Sequence, residues 1–251
     1  MVAIPPRLDK ATVEYPSSDG EPLAESYLHL WALVLTFEVL TRYLQGQPVM
    51  VMANQFLYYA EGFPRLRVAP DVMVIPGIEP HERDNYKVWE EGQVPAVIFE
   101  MTSAGTRKHH QEEKKTLYER LGVQEYWLFD PKGEWIKDQL LGYRLVGETY
   151  EQVLDSCSEV LQLRLAAEDA RLRFYRQDNG ERLALPNELD IALQLEIAAR
   201  QREQQRAEIA EEEAEHARLR VAEAQQQAEQ AIAEVAVLQA KLRSLGIDLD
   251  T

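Results

Sequence analysis

The rhythm of apolar and polar positions changes several times along this chain, and each rhythm predicts an element. Residues 23–44 are rich in Leu, Trp, Val and Phe, which predicts a largely buried helix. The stretch before it, YPSSDGEPLAES, is dense in turn residues and reads as irregular. Shorter apolar runs predict strands over 49–53, 55–60 and 67–75. The run VPAVIFEM, 94–101, is apolar without alternation, the pattern of a central strand covered on both faces. A polar helix follows over 107–121 and stops at Gly122. EYWLF, 125–129, is a second buried strand, ended by Asp130-Pro131. Two hairpins are expected, one from 140–145 and 149–154 around Gly147. The other joins 172–175 to 181–183 across Asp178-Asn179-Gly180. The order helix, strands, helix, strand predicts an α/β (α+β) domain with a central mixed sheet flanked by helices.

Near Pro186 the composition turns to Ala, Glu, Gln and Arg, and no aromatic residue follows. In this tail an apolar residue recurs at alternating steps of three and four. The stripe runs through Ala207, Ala210, Ala214, Ala217, Val221, Ala224, Ala228, Ala231, Val235, Leu238, Leu242 and Leu245. That is the core stripe of a coiled coil, about 58 Å long at the rise of an α-helix. Alanine buries little surface, so the 235–245 end is where such a coil would grip. The alternative is a single exposed helix kept soluble by its charges. The expected organisation is therefore a globular domain over 1–186 and a coiled-coil helix over 187–251. The tail is expected to join copies of the chain, as a dimer, through residues 207–245.

The formal net charge of −16 changes the picture of any partner. Neither part of the chain is a basic domain that coats a polyanion, so contact with nucleic acid would need a local basic groove or bound metal cations. One cysteine, Cys157, excludes an internal disulfide and a multi-cysteine zinc site, and fits a reducing compartment. The beginning of the chain has no apolar signal core, and the apolar stretch 28–44 is broken by His29, Glu38 and Arg42. The expectation is a cytoplasmic protein without a membrane segment.

Two acids stand where the pattern asks for apolar residues. Asp71 enters the run APDVMVI, and Glu100 ends AVIFE. A carboxylate placed there is costly unless something compensates it. Two carboxylates brought together by neighbouring strands suit Mg²⁺, which keeps several waters and takes few protein oxygens. Taken singly, each acid also fits a strand end facing solvent. On the helix after Glu100, His110, Lys114 and Tyr118 fall at i, i+4 and i+8 and share one face. Lys114 could reach back to Glu100, or it could simply belong to a solvated helix. His109 and His110 make a poor metal pair, because adjacent helical residues point about 100° apart.

Four stretches of the chain together resemble a known family: SSDGEPLAES (17–26), APDVMV (69–74), WEEG (89–92) and VIFEMTSAGTRKHHQEEKKTLYERLGVQEYWLFDP (97–131). They resemble the Uma-two family of bacterial proteins, described as restriction endonuclease-like and placed in the PD-(D/E)XK nuclease superfamily. The likeness spans roughly residues 14–185. It implies a restriction-endonuclease-like fold and Mg²⁺-dependent (or Mn²⁺-dependent) endonuclease chemistry on nucleic acid, DNA in the first instance. By the same resemblance Asp71 and Glu100 match the two metal-binding acids and Lys114 the catalytic lysine. Tyr118 matches the aromatic residue one turn later, and Glu25, His29 and Ser103 would be supporting groups. Thr102 stands where the superfamily pattern has its lysine, and His110 where relatives carry an acid. These departures leave a second expectation open: a catalytically inactive nuclease-fold module, interacting or regulatory, that oligomerises through its coiled coil.

Overall fold

In the computed structural model the described residues are 13–20, 26–102 and 108–244, the side chains of 108–110 apart. They divide into one compact unit ending at Glu188 and another beginning at Leu189. Helix α1 (Tyr27–Tyr43) begins on Ser26, whose hydroxyl accepts the His29 N–H. It is followed by strands β1 (Val49–Ala53), β2 (Leu57–Tyr58), β3 (Arg67–Val68), β4 (Val72–Pro76) and β5 (Tyr86–Lys87). Next come the short helix α2 (Val88–Glu91), β6 (Val97–Met101), α3 (Lys108–Leu121) and β7 (Glu125–Phe129). Five further strands complete the unit: β8 (Leu140–Val146), β9 (Thr149–Val153), β10 (Cys157–Ser158), β11 (Leu163–Glu168) and β12 (Arg171–Arg176).

The central sheet is mixed, with strand order β1-β4-β6-β7-β8-β9. Only β6 and β7 run parallel in it, and α3 is their crossover. Period-two alternation explains the two apolar layers. Val72, Val74, Val97, Phe99, Met101, Trp127 and Phe129 point to one side and pack with α1 and the β10-β11-β12 sheet. Met73, Ile75, Ile98, Tyr126 and Leu128 point to the other and pack with Tyr118 of α3 and with β2 and β5. Trp127 needs room that only glycine leaves: it pairs with Gly142 on β8, where a Cβ would fall 2.3 Å from the indole. Helix α3 ends at Gly122 (φ +82°), with the Val123 N–H donating back to the Tyr118 carbonyl.

One expectation is corrected. The strand expected over 67–75 is two strands in different sheets, because Pro70 cannot donate to a ladder and the chain turns there. The hairpin expected around Asp178-Asn179-Gly180 forms: the Tyr175–Arg182 bridge is flanked by the Arg176 N–H donating to the Glu181 carbonyl and the Leu183 N–H donating to the Phe174 carbonyl. A further hairpin, β11–β12, was not anticipated: it turns through Asp169 and Ala170, both left-handed and neither a glycine, so the turn signal was missing. The first helix starts at Tyr27 among the described residues; residues 21–25 lie outside them.

The second unit belongs to helix α4 (Pro186–Ser244), a single helix with no buried residue in the isolated chain. No helix among the described residues is long and apolar enough to cross a membrane.

Candidate metal centre

The register of β4 and β6 sets the site. Val72 lies opposite Phe99, so the next position on each strand places Asp71 beside Glu100. Alternation sends Asp71 to the same side as Met73 and Ile75, and Glu100 to the same side as Ile98. Both carboxylates are buried, at 7% and 5% exposure. A pair of buried acids is costly unless donors meet it, and donors do. The Met101 N–H donates to Asp71 Oδ2 at 2.5 Å, and His29 Nε2 on α1 stands 3.5 Å from Asp71 Oδ1.

Glu100 is held from α3. Lys114 Nζ donates to Oε1 and Oε2 at 2.8 and 2.7 Å, and the Tyr118 hydroxyl donates to Oε1 at 2.7 Å. Lys114 and Tyr118 are one helical turn apart, which is why one face of α3 delivers both. Burial pushes the Glu100 carboxyl up from 4.5 to about 7, the Asp71 charge adds to the rise, and Lys114 and Tyr118 oppose it. The Tyr118 phenol, fully buried beside Glu100, is pushed well above its ordinary value. The Lys114 side chain keeps 27% exposure, so the pocket opens to solvent on its side.

The structure thus gathers Asp71, Glu100, Lys114, Tyr118 and His29. Glu25, Ser103 and the His110 side chain lie outside the described residues. The family model described as "Putative restriction endonuclease", Uma2, matches residues 3–198, more than three quarters of the chain. The chain belongs to the Uma2 family. A nuclease-like function goes with that membership. A solved structure, that of a putative nuclease from Anabaena variabilis, is similar to this Uma2 chain at 16% identity. The match covers 59% of this chain and 82% of that one, with a TM-score of 0.42. No curated protein matches the chain.

Two hydroxyls at this Uma2 site were given no role in the sequence analysis. Thr102 follows Glu100 by two residues, is 3% exposed, and its Oγ1 has no hydrogen-bond partner. Tyr126 shares the α3 side of the sheet, its ring 5.2 Å from that of Tyr118. Its hydroxyl is buried without a partner, and burial with the Glu100 and Asp71 charges raises its pKa. The signal for Tyr126 was its place in EYWLF, since period two sets it on the opposite face from Trp127.

The WEEG stretch serves architecture. Glu91 pairs with Arg83 at 2.6 Å, and the Trp89 ring packs against Tyr15. Gly92 ends α2 in the left-handed conformation.

Among the described residues no group of three or more His, Cys, Asp or Glu side chains converges as a ligand set. Asp71 and Glu100 are a pair, which suits a hard cation that retains most of its water. Together they present more negative charge than the Lys114 ammonium can balance, and a divalent ion would relieve the excess. The donor set therefore fits Mg²⁺ or Mn²⁺ better than zinc, which takes nitrogen and sulfur ligands in a closed tetrahedron.

Proposed function

We propose that this chain is a divalent-metal-dependent endonuclease that hydrolyses phosphodiester bonds of nucleic acid, with DNA as the first substrate to test. The reading rests on one observation: two buried carboxylates at neighbouring register positions, one of them clasped by an ammonium group. Asp71 and Glu100 would hold Mg²⁺ or Mn²⁺, with the Met101 carbonyl as a further candidate ligand. The cation supplies Lewis acidity toward water and phosphate. Tyr118 fixes Glu100 through Oε1, and the Met101 N–H fixes Asp71, so both acids are oriented before any ligand arrives. Lys114 Nζ is a cation with solvent access; it would steer the attacking water and offset charge growing on the phosphate oxygens. In the same proposal residues 1–186 form the catalytic domain and 187–251 a coiled coil that pairs two copies through 207–245, with the protein acting in the cytoplasm.

The test is cleavage of DNA with Mg²⁺ by Asp71→Asn and Glu100→Gln. Both are expected to lose activity while retaining the wild-type circular dichroism spectrum. Full activity in either variant removes the assignment. One observation favours the second reading, the inactive interaction or regulatory module: both oxygens of Glu100 are already engaged by protein donors. Calorimetric titration with Mn²⁺ separates the two. Binding that Glu100→Ala abolishes supports the enzyme, and no binding supports the module.

A further inference from the structure

A groove of about 710 Å³ opens on the α3 face of the sheet. It reaches Leu128, the residue paired with Glu100 in the β6–β7 ladder, so it begins one strand from the acid pair. On its helix side stand Gln111 and Glu112, the first of them three residues before Lys114. On its far side stand Gln152 and Leu154 of the β9 end. Its volume lies within the roughly 300–1,000 Å³ of small-molecule sites.

Trp135 also lines the groove, and it is 56% exposed. An exposed indole is ordinary on a loose loop, but this loop is fixed. The buried Asp130 carboxylate accepts the N–H groups of Lys132 (3.2 Å), Gly133 (3.0 Å), Trp135 (2.6 Å) and Ile136 (3.0 Å). Gln139 Nε2 closes the loop on the Asp130 and Pro131 carbonyls. The aromatic surface is therefore held out from the protein in advance, with little ordering entropy left to lose on binding. Leu154, at 86% exposure, offers a second apolar surface.

The charges of the groove select what enters. Among the described lining residues the carboxylates of Glu112 and Asp138 stand beside Lys137, so an amino group on a heterocycle is accepted there. The two glutamines add donors and acceptors suited to a base edge. We infer that the groove seats an unpaired nucleobase, stacked on Trp135 and hydrogen-bonded along its edge by Gln111, Glu112 and Gln152. A base in a duplex offers neither face nor pairing edge, so the substrate class is single-stranded nucleic acid. That the bond beside this base is the one cleaved at Glu100 rests on the nuclease reading; the seating of the base does not.

The experiment is fluorescence anisotropy of a short, labelled, mixed-sequence DNA strand with the full chain in EDTA and about 0.15 M NaCl, which screens the acidic surface while no divalent ion takes part. Stacking on an aromatic side chain is worth about 1–3 kcal/mol per base, so Trp135→Ala is expected to raise Kd about tenfold (about 1.4 kcal/mol). Trp135→Phe should stay within about threefold, since a ring remains. The unlabelled duplex of the same sequence should compete at least about tenfold more weakly than the strand. Trp135→Ala binding as tightly as wild type overturns the inference, as does a duplex that competes as well as the strand. If Glu100→Gln abolishes Mg²⁺-dependent cleavage while Trp135→Ala binds normally, the inference alone falls. If the strand binds through Trp135 and nothing is cleaved, the inference stands without the nuclease.

Discussion

Glu100→Gln tests the electrostatic account of the site without a substrate. Folding raises the Glu100 carboxyl from 4.5 to about 7. An acid raised in this way holds its proton in the native state at a pH where the unfolded chain has released it. The native state therefore binds more protons between those two values, and stability falls as pH rises through the window. Each tenfold gain in proton affinity corresponds to about 1.4 kcal/mol, so the loss from this one group is on the order of 3 kcal/mol in metal-free protein. It is absent below pH about 4.5 and complete above about 7. Gln cannot titrate, keeps nearly the same shape, and can still accept from Tyr118. Urea unfolding of both proteins in EDTA, at intervals from pH 4 to 8, should show the variant gaining on wild type by about that amount across the window. Saturating Mn²⁺ should then restore wild type selectively, by about 2.7 kcal/mol at a hundred times Kd. Stability curves that run parallel from pH 4 to 8 would refute the argument, because the buried acid pair would then impose no proton linkage.

Lys114→Met removes the ammonium and keeps the helix. Cleavage is expected to fall about 100- to 1,000-fold, and the fold should persist at a lower melting temperature above about pH 7, where the buried Glu100 carboxylate is charged and has lost its ammonium partner. Gly142→Ala drives a methyl into the Trp127 ring and should cost about 1–3 kcal/mol, read from the urea midpoint at unchanged slope. Leu238→Glu together with Leu242→Glu places two charges on the proposed coiled-coil stripe, and light scattering should report a smaller particle than wild type.

The parts of the fold legible in the sequence are those where one rhythm persists. VIFEM and EYWLF could be read as buried strands because both of their faces are covered, and the α3 face could be read from the i, i+4 spacing of Lys114 and Tyr118. The 67–75 stretch misled because its apolar rhythm crosses Pro70 unbroken, although the chain changes sheets there. The hairpin β11–β12 was hidden because its turn uses Asp169 and Ala170 in place of glycine. Glu125 could not have been anticipated. A strand acid with 0% exposure reads as a surface residue until Arg144 and the Glu159 N–H are brought to it from other parts of the chain, beside the Trp127 indole N–H of its own strand. The partnerless hydroxyls of Thr102 and Tyr126 were hidden for a related reason, since nothing in a sequence marks a hydroxyl that folding leaves without a partner.

The position of the lysine follows from the topology. A lysine on β6 two residues beyond Glu100 would share its face and lie beside it along the strand; Thr102 fills that place. The ammonium arrives instead from the β6–β7 crossover, which a parallel pair requires and which here packs on the sheet face that carries Glu100. A helix in that position approaches the acid from above, and one turn of it offers two side chains at once, Lys114 and Tyr118, to a single carboxylate. The strand position could supply only one. What the crossover adds is a second donor for Glu100; under the proposed function the carboxylate would stay oriented by Tyr118 while Lys114 turned its hydrogens toward a ligand.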